Sequence, residues 1–292
     1  MLKHIFALST LFISIFASDM LSTEFFEKTE ESASIKKWRD SNFGLQPHHV
    51  NYILPYGRRE GNYISYDIPA EKYINVEAEL QVSLKMNVLN NLFNFHEKYY
   101  LSYSHKAFWQ IYVDSAPFRE TNYNPEAFVV FPIADSSSIF QLRSLTLAYS
   151  HLSNGQGNTE NAIYPAGVVN PGSKSRSINS LFAKIGMQHG NLFTDFTLWT
   201  PFAGNDLSDN PDLMDYMGYG ELKFNYFLGE NMFTLSGRYN IATGNGAVED
   251  TYSHPLIDDV YLYAKIYSGY GESLIDYNNY ITKFSIGFSF SR

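Results

Sequence analysis

Ile74-Asn75-Val76-Glu77-Ala78-Glu79-Leu80-Gln81-Val82-Ser83-Leu84-Lys85-Met86-Asn87-Val88 alternates without a break. Ile74, Val76, Ala78, Leu80, Val82, Leu84, Met86 and Val88 share one parity, while Asn75, Glu77, Glu79, Gln81, Ser83, Lys85 and Asn87 take the other. Successive side chains of a strand point to opposite faces, so period two means one apolar and one polar face. The run is longer than the five or six residues usual in soluble strands, and it suits a tilted crossing of a bilayer. The signature returns at Leu222, Phe224, Tyr226 and Leu228 and again at Phe284, Ile286, Phe288 and Phe290. Between such runs, short connections (Gln188–Asn191, Gly229–Glu230, Pro255–Asp258) alternate with long ones (Gly155–Arg176, Phe202–Tyr216, Tyr270–Asn278). Outer-membrane barrels are built this way, with tight turns on one side and long loops on the other. Glu77, Glu79, Lys85, Glu221 and Lys223 on the polar parity suit a hydrated or hydrogen-bonded lumen.

The expectation is an all-β chain, a transmembrane antiparallel β-barrel of about twelve strands. It fills residues 51–292 as one domain, with no internal repeat or linker. Ahead of it, Lys3 and His4 precede an apolar run from Ile5 to Ala17, too short to span, and the small residues Ala17 and Ser18 precede Asp19. Residues 1–18 therefore read as a signal peptide. Residues 19–50 read as a solvated polar segment rich in Glu and Lys, to which no function attaches. The 292 residues contain no cysteine, and a formal net charge of −9 without a basic face argues against nucleic-acid binding.

Chemistry concentrates at Leu145–Gly155. Leu145, Leu147, Tyr149, His151 and Ser153 share the apolar parity, so His151 and Ser153 point toward lipid near the long-loop end. Two residues along a strand span about 6.5 Å, within reach of a hydrogen bond between leaning side chains. The outward set of the next strand is Asn179, Leu181, Ala183, Ile185 and Met187, and antiparallel pairing can bring Asn179 beside His151. Ser, His and Asn supply a nucleophile, a base and a group that orients the base. Polar residues on a lipid face are costly and call for a purpose. From parity alone, an inert hydrated pair at headgroup level stays open.

The run Tyr149-Ser150-His151-Leu152-Ser153-Asn154-Gly155 resembles the His-x-Ser-Asn-Gly motif of the outer membrane phospholipase A family. The similarity includes Pro117-Phe118-Arg119-Glu120-Thr121-Asn122-Tyr123, Ser175-Arg176-Ser177-Ile178-Asn179, Asn210-Pro211-Asp212, Tyr216-Met217-Gly218-Tyr219 and Ser268–Asn278, in order across about residues 100 to 292. The resemblance implies a calcium-dependent homodimer in the bacterial outer membrane, hydrolysing sn-1 and sn-2 acyl esters of phospholipids and lysophospholipids at the outer leaflet. It implies a catalytic triad of His151, Ser153 and Asn179. It also implies one Ca2+ per chain at the dimer interface, held by Gln156 and Ser175 with Ser115 from the second chain. With that ion, the Gly155 N–H would form the oxyanion hole, and Asp209 matches a position for a second, weaker calcium.

The sequence departs from the family at Gln156, where an arginine is common. It departs again at the Asn158–Gly172 loop, which is longer than usual, and at His105, where a glutamine sits at the dimer contact. His48-His49 reads as a surface pair in preference to a metal site, and Gly155-Gln156-Gly157 and Gly244-Asn245-Gly246 read as loop glycines and not phosphate cradles, since neither leads into a helix. Asp206, Asp209 and Asp212 read as a solvated outer loop. The competing function is a non-enzymatic barrel, a small pore or an adhesin, which ion conductance without ester cleavage would support.

Overall fold

The computed structural model describes residues 45–60, 73–135, 138–156, 174–202, 207 and 209–292. The expected signal peptide, the polar segment up to residue 44, Gly157, the Asn158–Gly172 loop and Asp206 lie outside the described residues.

The strands are β1 (Leu45–Pro47), β2 (Tyr52–Glu60), β3 (Val76–Asn90), β4 (Lys98–Trp109), β5 (Phe118–Pro132), β6 (Leu142–Ser153) and β7 (Ser177–His189). They continue with β8 (Leu192–Pro201), β9 (Gly220–Leu228), β10 (Asn231–Tyr239), β11 (Gly246–Ile257), β12 (Val260–Gly269) and β13 (Ile281–Ser289). One short helix, α1 (Leu213–Met217), lies between β8 and β9. Each strand from β2 onward pairs antiparallel with its successor, and β13 closes on β2. The result is a closed twelve-strand antiparallel barrel, which leaves no sheet edge unpaired in lipid.

β1 is not an extra stave. It pairs with Leu84–Met86 of β3, and β2 pairs with Val76–Gln81 of the same strand. Leu45–Glu60 is therefore one barrel strand interrupted by a bulge, so the barrel starts inside the segment expected to be solvated. Four residues, His48 to Asn51, stand opposite two, Val82 and Ser83. The Asn51 side chain repairs the ladder: its Oδ1 accepts from Ser83 N at 2.6 Å and its Nδ2 donates to Ser83 O at 3.2 Å. The extra length turns both imidazoles inward, so His48-His49 is a lumen pair and not a surface pair.

The alternation sorts the strands as expected. Val82, Leu84, Met86, Leu101, Tyr103, Leu147, Leu181, Leu198, Leu222, Phe284 and Phe288 are exposed on the outside. Glu77 and Glu79 are fully buried in the long-loop half of the lumen. There Arg119 donates to Glu77 at 2.8 Å, Lys283 contacts Glu77 at 3.0 Å and Glu79 at 3.2 Å, and Lys265 contacts Glu79. The other half of the lumen is a cavity of about 1090 Å³ lined by Lys85, Lys184, Glu221 and Lys223 among others.

Two connections differ from the sequence reading. Tyr270–Asn278 is no free loop: Glu272 to Tyr277 are buried, folding back into the barrel mouth. Leu274 N donates to Asn122 Oδ1 at 3.2 Å, Ile275 N to Glu120 Oε1 at 3.1 Å, and Arg59 and Arg119 grip Asp276. Pro255 belongs to β11 and pairs with Tyr261, and the tight turn is Asp258-Asp259. Proline is tolerated because the register shifts beside it.

Candidate active site

β6 and β7 carry the site, and their register sets it. His151 pairs with Asn179, and Ser153 pairs with Ser177 on one side and Tyr123 of β5 on the other. Thr146, Ser150 and Leu152 of β6 and Ile178, Ser180, Phe182 and Lys184 of β7 line the lumen cavity. Strand alternation then puts His151, Ser153 and Asn179 on the outside, in line with exposed Leu147, Tyr149 and Leu181. His151 Nδ1 lies 2.7 Å from Asn179 Oδ1. An imidazole with Nδ1–H held by an amide oxygen presents Nε2 as a proton acceptor.

Asn179 Oδ1 has a second donor. The Tyr149 hydroxyl donates to it at 2.7 Å. That bond fixes the amide with its oxygen toward His151, because the NH2 end would repel both donors. The run that carries the motif includes Tyr149, but parity alone gave it no role. Its signal was a hydroxyl on the outward set, one pleat before the histidine.

The oxyanion candidate, Gly155, adopts φ +66° just beyond β6, and a Cβ there would lie 2.7 Å from the Tyr123 ring. Only glycine fits the combination of left-handed backbone and aromatic floor. Tyr123 also meets the outward-facing His105 edge-on at 5.1 Å. Asn154, buried, ties the two arms of the long loop: its Nδ2 donates to Lys174 O at 2.8 Å, and its Oδ1 accepts from Arg176 N at 3.0 Å and Gln156 N at 3.4 Å. Gln156 and Ser175 are thus carried on arms stapled to each other. The Ser175 carbonyl accepts from Arg176 Nη1 at 2.6 Å. Ser115 sits exposed, at φ +63°, on the β4–β5 turn.

Of the three expected loop aspartates, Asp212 is engaged, accepting from the Tyr277 hydroxyl. Asp209 is half-buried beside Asn210, whose side chain bonds Ser177 N at 2.9 Å and Ser177 O at 3.1 Å. That pairing moors the β8–β9 connection to the start of β7.

A closed barrel with an apolar exterior and an ion-paired interior is an integral outer-membrane protein. An ordered polar group of Tyr149, His151 and Asn179 stands at its lipid-facing surface. Comparison supplies the family. The model of the phospholipase A1 family matches residues 28–290, and the chain belongs to that family. Phospholipase A1 from Klebsiella pneumoniae is 36% identical over 260 residues, which are 87% of this chain and 85% of that protein. An active-site asparagine-to-alanine mutant of outer membrane phospholipase A from Escherichia coli superposes with a TM-score of 0.74 at 33% identity, covering 86% of this chain and 93% of that one. The Salmonella typhi outer membrane phospholipase dimer with bound calcium gives a TM-score of 0.75 at 32% identity, covering 88% and 96%. The protein is a phospholipase of the outer membrane.

Proposed function

We propose that the chain hydrolyses sn-1 and sn-2 acyl esters of phospholipids and lysophospholipids with a Ser153–His151–Asn179 triad on the barrel exterior, as a calcium-dependent homodimer. The observation that carries the reading is the 2.7 Å contact of His151 Nδ1 with Asn179 Oδ1 on the lipid-facing side. An active-site asparagine in the E. coli relative supports the role of Asn179.

His151 takes the Ser153 proton as Oγ attacks the ester carbonyl, then returns it to the leaving alcohol. Asn179, steadied by Tyr149, holds the tautomer that leaves Nε2 free. Water deacylates Ser153 through the same base. The Gly155 N–H donates to the developing oxyanion, a contribution worth about 2.7–4 kcal/mol where single donors have been removed from other enzymes.

Gln156 and Ser175, with Ser115 from a second chain, offer oxygen donors, the chemistry calcium takes. A backbone carbonyl ligand at Gln156 tolerates the change from arginine, and Asn154 holds both arms in place. Bound there, calcium would add Lewis-acid stabilisation of the oxyanion. The calcium-bound S. typhi dimer supports calcium and a second chain as partners of the site. Asp209 is the candidate for a second, weaker ion.

The test is phospholipid hydrolysis by the refolded chain with and without a chelator, beside Ser153→Ala. The account predicts loss of activity on chelation and at least about a 10³-fold loss in Ser153→Ala, with the barrel still folded. Hydrolysis persisting in Ser153→Ala overturns it.

A further inference from the structure

The bulge in the first barrel strand does something the hydrolytic site does not need. It drives two adjacent imidazoles into the lumen beside a buried carboxylate. His48 Nε2 lies 2.7 Å from Glu126 Oε2, with both side chains largely buried. The His48 and His49 rings are 4.2 Å apart, and one ligand atom from each of His48, His49 and Glu126 lies within 4.8 Å of the others. We infer that His48, His49 and Glu126 form a binding site for a zinc-class divalent transition ion inside the barrel, separate from the calcium set at the outer loops.

The donor set is the first argument. Two imidazoles and one carboxylate suit zinc, cobalt, nickel or copper and match a three-ligand site with an open position for water. Bonds of about 2.1 Å place tetrahedral ligands about 3.4 Å apart. Side-chain movements of about an ångström therefore close the set around one ion, which replaces the proton shared by His48 and Glu126.

Preorganisation is the second. His48 N donates to Ser83 O at 3.1 Å and His49 N to Ser83 Oγ at 3.0 Å, so both backbones are fixed on β3. His48 stacks on Phe128 at 5.0 Å, and Ser102 donates to Glu126 Oε2 at 3.3 Å, orienting the carboxylate from outside the set. A bulge that re-aims side chains is a positional device more often than a defect.

Access is the third. All three residues line the 1090 Å³ cavity, which leaves room for a water at the open position. Lys85, Lys184, Lys223, Arg238 and Arg292 line the same cavity and oppose a cation, while Glu126 within the set and Asp195, Glu221 and Asp259 elsewhere on the wall offset them in part. A bound ion would tie the first strand to β5 and stiffen the barrel by mass action on the folded state.

The experiment is titration of the refolded full-length chain in detergent with Zn2+, and with Co2+ as a visible-absorption probe, in excess Ca2+. The expected result is one Zn2+ per chain, a rise in unfolding midpoint, and a Co2+ spectrum typical of four or five ligands. His49→Gln, which keeps every main-chain bond, and Glu126→Gln should each weaken binding by at least about tenfold and remove the midpoint rise. Heat-modifiable gel mobility confirms that each variant is folded. Absence of stoichiometric binding overturns the site, as does undiminished binding in folded His49→Gln or Glu126→Gln. Hydrolysis is not the readout, so the result stands apart from that of the triad.

Discussion

In the proposed triad Asn179 is a neutral residue that orients a base, and its own orientation depends on Tyr149. The hydroxyl at 2.7 Å from Oδ1 makes the amide flip costly. Tyr149→Phe removes that bond while keeping the ring, which meets Phe202 edge-on at 5.9 Å. A neutral hydrogen bond is worth about 0.5–1.5 kcal/mol, so kcat should fall roughly 2- to 10-fold with KM nearly unchanged. Steady-state kinetics on dispersed phospholipid check this, and a change confined to KM would assign Tyr149 to lipid binding. The outward placement of His151, Ser153 and Asn179, the residues of the proposed triad, was legible because strand parity gives it directly. Tyr149, Tyr123 and Asn154 act through geometry that no spacing rule encodes: a cross-strand hydroxyl, a ring under a glycine, and an amide spanning a long loop.

The strand elements were legible for a different reason. Lipid outside and a polar lumen inside enforce period two, and β3, β9 and β13 write it plainly. The departures lie where a side chain substitutes for backbone. Asn51 repairs a ladder across the β1–β2 bulge, and Asn210 does the same for the start of β7. Such mimicry leaves no periodic trace. The β3–β4 turn relies on a related device. Glu97, buried, accepts from Phe93 N at 2.6 Å and Phe95 N at 3.0 Å. Burial pushes its carboxyl up, but these backbone donors and its own N–H outweigh that and hold its pKa below the usual range. A folded pKa below the unfolded one gives stability that is present above the unfolded pKa and lost as pH falls through the folded one. Glu97→Gln should therefore lower the unfolding midpoint at pH 7, and the gap to the parent should close on acidification through the carboxylate range. A gap independent of pH would contradict the ionic account.

Across the whole barrel, charge and the proposed triad occupy opposite sides of one wall. The Glu77, Glu79, Arg119, Lys265, Lys283 and Asp276 cluster, with the folded-in Glu272–Tyr277 segment, fills the mouth and argues against an open pore. Strand parity identified a polar lumen, but not that the last long connection would plug it, since burial of that segment depends on partners far away in sequence. Removing one member leaves buried charge unpaired. Glu77→Gln should cost about 3–5 kcal/mol in denaturant unfolding, while folded protein keeps its hydrolytic rate; a neutral effect would mean that water enters the cluster. The central claim concerns the outside of the wall: Ser153 is a nucleophile activated by His151 at the lipid-facing surface. Treatment of the folded protein with a sulfonyl fluoride of long alkyl chain, followed by peptide mass spectrometry, tests it most directly. The account predicts one adduct, on Ser153, that abolishes hydrolysis and fails to form in His151→Ala. Complete inactivation with Ser153 unmodified, or labelling that ignores the loss of His151, would contradict it.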